Sequence, residues 1–141
     1  MAHTSFTIET DPAPQDLQFL EEQINEHNIA VTGYYDFQRL TIFVRDAAQA
    51  VVAGISGYTW GQSCKIEFLW VQPALRGQGY GKALLQAAEA EAQQRGCHVV
   101  VVDTHTFQAP AFYQKLGYTV VGSYQDCPYR YGQVFLQKRL S

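Results

Sequence analysis

Charge is scarce in this chain. Asp, Glu, Lys and Arg make up 16% of its 141 residues, and ten basic against thirteen acidic side chains leave a formal charge of −3. With no basic excess, a nucleic-acid partner held by broad electrostatics is not expected. Cysteine is sparse as well. Cys64, Cys97 and Cys127 form an odd, widely spaced set without a Cys-x-x-Cys pair. That argues against a disulfide framework and, with no histidine at ligand spacing, against a metal site. Reduced thiols predict a cytoplasmic protein. No stretch approaches the roughly 18 apolar residues of a membrane span. Met1–Thr10 lacks the basic and apolar regions of a signal peptide. Repeats, linkers and low-complexity segments are missing too.

What is present fits one globular domain over residues 1–141. The length is that of a single domain, and the 47% hydrophobic content can fill its core. Phe6–Glu9 alternates like a short strand. Asp16 predicts a cap for a helix with Leu17, Leu20, Ile24 and Ile29 on one face. Strands are expected over Leu40–Arg45, Ala50–Trp60, with bends at Gly54 and Gly57, and Cys64–Val71. A helix follows over Lys82–Arg95, closed by Gly96. Val99–Val102 reads as a strand buried on both faces. Ala109–Leu116 predicts a short helix, and Tyr118–Tyr124 and Gln133–Lys138 the last strands. The class is α/β in the α+β sense. One crossover, from Cys64–Val71 through the helix to His98–Asp103, should be parallel.

Between that strand and helix stands Arg76-Gly77-Gln78-Gly79-Tyr80-Gly81-Lys82. Glycines let backbone N–H groups approach an anion, and the helix N-terminus adds partial positive charge. Arg76 and Lys82 add full charges, so a phosphate or pyrophosphate is the natural ligand. A dinucleotide-binding Gly-x-Gly-x-x-Gly fails because Lys82 replaces its third glycine. A Walker-type loop fails twice, at Arg76 and at Ala83.

Two segments together carry a resemblance. Arg76-Gly77-Gln78-Gly79-Tyr80-Gly81 follows the strand Phe68–Val71, and Ala109-Pro110-Ala111-Phe112-Tyr113-Gln114-Lys115-Leu116-Gly117-Tyr118 comes later. In this order they resemble the GNAT superfamily of acetyl-CoA-dependent N-acetyltransferases, over almost the whole chain. The resemblance implies a mixed, splayed β-sheet flanked by helices. It implies that Arg76, Gly77, Gln78, Gly79, Gly81 and Lys82 hold the acetyl-CoA pyrophosphate. Leu69 and Val71, on a bulged strand, would meet the pantetheine arm, with Phe112 lining it. Thr106 stands where many members have Asn, a departure from the family pattern, and its hydroxyl can still hydrogen-bond the cofactor.

The resemblance also makes Tyr113 the general acid toward the leaving thiolate. A lysine-like amine titrates at about 10.4, so a base is needed to deprotonate it at neutral pH. Glu67 and His105 are the candidates. Asp103 reads first as a helix cap or turn residue, and His3, His27 and His98 as surface or structural. For the acceptor, Tyr34, Tyr35 and Trp60 are candidates, with Tyr124, Asp126 and Tyr129 as further pocket walls. The expected function is acetyl transfer to a primary amine of a small molecule. The rivals are an acyl-CoA sensor without turnover and a protein-modifying acetyltransferase. A homodimer is expected from the family.

Overall fold

The computed structural model describes residues 5–140, so His3 lies outside the described residues. The chain divides into two compact units, one up to Tyr35 and one from Asp36 onward. In the first, Phe6–Glu9 joins no sheet, contrary to the alternation, and Phe6 and Ile8 are exposed. A period of two marks a face but supplies no ladder partner, and a lone strand leaves its backbone groups unpaired. Helix α1 (Pro14–Thr32) begins with Pro14 at its first position, where a missing N–H costs little. Asp16 caps it from inside: its carboxylate accepts the Ala13 N–H at 2.9 Å. Gly33, at φ 76°, closes the helix by donating its N–H to the Ile29 carbonyl. The helix buries none of its residues, including the predicted Leu17, Leu20, Ile24 and Ile29 face.

The second unit is a six-stranded sheet. Its strands are β1 (Gln38–Arg45), β2 (Val51–Trp60), β3 (Ser63–Val71), β4 (Val99–His105), β5 (Thr119–Tyr124) and β6 (Gln133–Arg139), in the order β1-β2-β3-β4-β6-β5. Helix α2 (Tyr80–Gln94) links β3 to β4, the parallel pair; every other neighbour is antiparallel. Helix α3 (Pro110–Lys115) follows β4. Leu84, Leu85, Ala88 and Ala92 of α2 and Tyr113 of α3 share one core with Leu40, Ile55, Ile66, Val100, Val102 and Leu136. Burial of these apolar side chains is the main stabilising term. Val99 and Val101 are only half-buried, so β4 is not buried on both faces as its run of valines predicts. They point to the opposite face, which also carries Lys65, Asp103 and Gln137.

One irregularity of the sheet lies between β2 and β3. Ser56 pairs with Phe68 and Gly57 with Ile66, which leaves Glu67 as an extra residue in β3. This is a β-bulge. Gly57 permits it, because a Cβ there would run into the Lys65 carbonyl. Gly54, the other expected bend, stays in register under the Phe43 ring. At the same level the β3–β4 ladder ends, its last pair being Ile66 with Val102. Strand β4 continues to His105 beside β6. The sheet therefore splits beyond Ile66.

Candidate active site

The chain leaves β3 through a 3-10 turn at Pro73–Leu75. Arg76 Nε donates to the Val71 carbonyl at 2.9 Å, and the Gln78 amide donates to the Ala74 carbonyl at 3.3 Å. These bonds fold the turn back onto the strand end. Gly77 and Gly79 are left-handed, at φ 77° and 90°, which strains any residue with a Cβ. Helix α2 then starts without a side-chain cap. The first N–H groups of a helix lack intrahelical partners and carry the positive end of its dipole. A cleft of about 360 Å³ opens here, lined by Leu69, Val71, Arg76, Gly81, Lys82 and Phe112 among others. A Cβ on Gly81 would stand 3.4 Å from the Phe112 ring and 3.9 Å from the Val71 side chain, and would narrow the slot. The cleft is thus an apolar slot ending in a glycine-rich turn whose N–H groups suit an anion. It suits a ligand that has a long arm and phosphates.

Helix α3 contributes Phe112 to this lining. The Phe112 and Tyr113 rings meet edge to face at 5.1 Å, and Tyr113 is buried. Burial, and then the charge of Asp103, push its phenol up to about 12. The hydroxyl therefore keeps its proton across the neutral range. Behind it, Tyr118 donates to Glu89 Oε2 at 2.7 Å, and Lys138 Nζ lies 3.1 Å from Glu89 Oε1 and 2.9 Å from the Leu116 carbonyl. This tie fastens the end of α3 to α2 and β6.

The face opposite α2 is charged where the sheet splits. Glu67 pairs with Arg39 at 2.9 Å. Asp103, the first β4 residue beyond the last β3 pair, lies 3.1 Å from Lys65 Nζ and accepts the Gln133 amide at 2.6 Å. His105 stacks on Phe107 at 5.1 Å, with Nδ1 3.3 Å from Gln108 Oε1. The same oxygen accepts the His105 N–H at 2.7 Å and the Thr104 hydroxyl at 3.0 Å. Of these groups, Asp103 is the one whose charge acts on Tyr113.

The Acetyltransferase (GNAT) family profile matches residues 6–118. This chain belongs to the GNAT family. Acetyltransferase Atu2258 of Agrobacterium fabrum is 32% identical over 120 residues, covering 85% of this chain and 88% of that protein. Blasticidin-S acetyltransferase of Streptomyces morookaense is 39% identical over 79 residues, covering 55% of this chain and 58% of that protein. An acetyltransferase crystal structure from Bacillus cereus superposes with a TM-score of 0.85 at 26% identity, covering 94% and 97% of the two chains. The protein is an acyltransferase, and its mixed sheet flanked by helices is the GNAT fold.

In this acetyltransferase Leu69, Val71 and Phe112 line one cleft with the turn residues other than Gln78. Gln78 turns its amide to Ala74, and the Thr106 hydroxyl accepts the Gly132 N–H at 3.0 Å, tying β4 to the chain entering β6. Trp60 lies at the opposite end of β2, paired with Ser63, where β3 and β4 are still joined. Tyr34 and Tyr35 follow α1 in the first unit, and both are exposed. Leu75, Tyr80 and Ala109 also line the cleft. Tyr80 and Ala109 lie inside the two motifs, so their positions alone could have revealed them; Leu75 gave no signal.

Proposed function

We propose that this enzyme transfers an acetyl group from acetyl-CoA to a primary amine of a small molecule, by direct attack on the thioester, with Tyr113 as general acid. The observation that carries this reading is the split beyond Ile66 and Val102. In this reading it receives the thioester between the glycine-rich turn and Tyr113. In this reading the N–H groups around Gly79, Gly81 and Lys82 hold the pyrophosphate, with Arg76 adding charge. Leu69 and Val71 offer backbone groups to the arm, in the manner of an added strand. A backbone N–H of that free β3 edge faces the developing oxyanion. Holding both substrates in the split removes much of the entropic barrier. The relation to blasticidin-S acetyltransferase supports a small-molecule acceptor.

The free thiols support a cytoplasmic protein, and β5, an exposed edge strand, supports a homodimer. The test is a panel of primary amines and peptides with acetyl-CoA, followed by release of free CoA thiol. Release with small amines is expected. Release with peptides alone overturns the small-molecule assignment, and no amine-dependent release overturns the transfer reaction.

A further inference from the structure

The proposed reaction leaves open where the acceptor amine sits and what takes its proton. The topology restricts the answer. Side chains alternate across a strand, so Leu69 and Val71, which pack against the core, face the α2 side of the split. On the other face the split is flanked by Glu67 and Phe68 of β3 and by Asp103 and His105 of β4. If the arm enters past Leu69, Val71 and Phe112, the acceptor reaches the thioester from this second face.

Three groups there can take a proton, and their surroundings differ. Glu67 is the bulged residue, and Arg39 of the edge strand draws it toward β1. His105 is the last residue of β4, with Nδ1 beside Gln108 and its ring covered by Phe107. Asp103 is the first β4 residue past the end of the ladder. Lys65 from β3 and Gln133 from β6 each engage one of its oxygens and hold the carboxylate across the root of the split. An ionised carboxylate has about four lone-pair positions, so two contacts leave room for an amine. Its side chain is 26% exposed.

Resting on the reading above, we propose that Asp103 receives the acceptor amine and accepts its proton during acetyl transfer. Asp103 takes one proton from the bound ammonium, which leaves the neutral amine to attack. As the C–N bond forms and the C–S bond breaks, the Tyr113 hydroxyl proton passes to the departing sulfur, and a second N–H proton of the amine returns to the Tyr113 oxygen. The products are the amide, CoA thiol and protonated Asp103, which then releases its proton to solvent. Lys65 and Gln133 are positioning residues in this scheme.

The test compares Asp103→Asn with Glu67→Gln and His105→Ala, using two acceptors. One is the best alkylamine from the panel. The other is an alkoxyamine of similar shape, which is already neutral at pH 7. Loss of a general base costs on the order of a hundredfold or more. Asp103→Asn should therefore lower kcat/KM for the alkylamine by about a hundredfold, with a much smaller loss for the alkoxyamine. A merely structural role would lower both equally. Acetyl-CoA affinity, measured by calorimetry on the same variant, should be unchanged. Equal losses for the two acceptors, no loss, or the differential pattern in Glu67→Gln or His105→Ala instead would overturn the proposal. Failure of the wild-type protein to bind acetyl-CoA or to turn over any amine would refute the underlying reading, a different result.

Discussion

Two carboxylates in this enzyme are tied in nearly the same way and sit in different surroundings. Glu89 has Lys138 at 3.1 Å and a Tyr118 hydroxyl at 2.7 Å. Asp103 has Lys65 at 3.1 Å and a Gln133 amide at 2.6 Å. The Glu89 side chain is 12% exposed and joins two helices and a strand on the core side of the sheet. Asp103 is about twice as exposed and stands at the split, on the other side. The same contacts therefore carry different energies. A tie screened from water holds structure, because removing one partner strands the other. A tie at an opening leaves lone pairs and space for a substrate.

The comparison breaks first on stability. Glu89→Ala leaves Lys138 half-buried beside Tyr118 without its counter-charge, and should cost about 3–5 kcal/mol. Asp103→Ala leaves Lys65, which is more exposed, and should cost about 1 kcal/mol or less. Urea unfolding of the two variants decides the point. Equal losses would mean that the two ties are energetically alike and that position relative to the split is irrelevant.

Activity breaks it in the opposite sense. Tyr113 lies between the ties: its carbonyl accepts the Tyr118 N–H at 3.0 Å, and its phenol feels Asp103. Tyr113→Phe removes one oxygen from a buried ring and leaves the packing of α3 in place. Turnover should fall by roughly a hundredfold, the usual scale for a lost general acid, with acetyl-CoA affinity unchanged. Steady-state kinetics beside calorimetry separate the two quantities. A rate equal to that of the unmodified enzyme would remove Tyr113 as the acid.

The core side was the more legible of the two in the sequence. The turn at Arg76–Lys82 and the helix from Ala109 are contiguous segments, so their local chemistry and order were readable. The crossover was readable too, since strand, helix, strand is the usual connection between parallel neighbours. The split was not. A bulge at Glu67 depends on Gly57 of the neighbouring strand, and nothing in Ile66-Glu67-Phe68 marks the extra residue. Both ties join residues far apart in the chain, and Asp103 by itself reads as a turn residue. Phe6–Glu9 failed for a related reason, because strand identity belongs to a pair and alternation describes one member.

The smallest effect tests whether the two sides communicate. Cys64 and Tyr113 both titrate high in the folded protein. Burial and then Cys97 raise the Cys64 thiol from 9.0 to about 12, and burial and then Asp103 raise the Tyr113 phenol from 10.0 to about 12. In each case the neutral form is favoured by folding. The unfolded chain therefore loses these protons first. The associated stability is complete below about pH 9, where neither state has ionised, and declines as pH rises from there through about 12. Tyr113→Phe should remove the tyrosine share of that decline, between about pH 10 and 12. Asp103→Asn should reduce the same share partly, because it removes the second cause of the Tyr113 shift and leaves burial. Urea midpoints measured from pH 8 to 11 would show a shallower alkaline slope in Asp103→Asn than in the unmodified protein. An unchanged slope would mean that the Asp103 charge does not reach the phenol, and that the split isolates its two faces electrically.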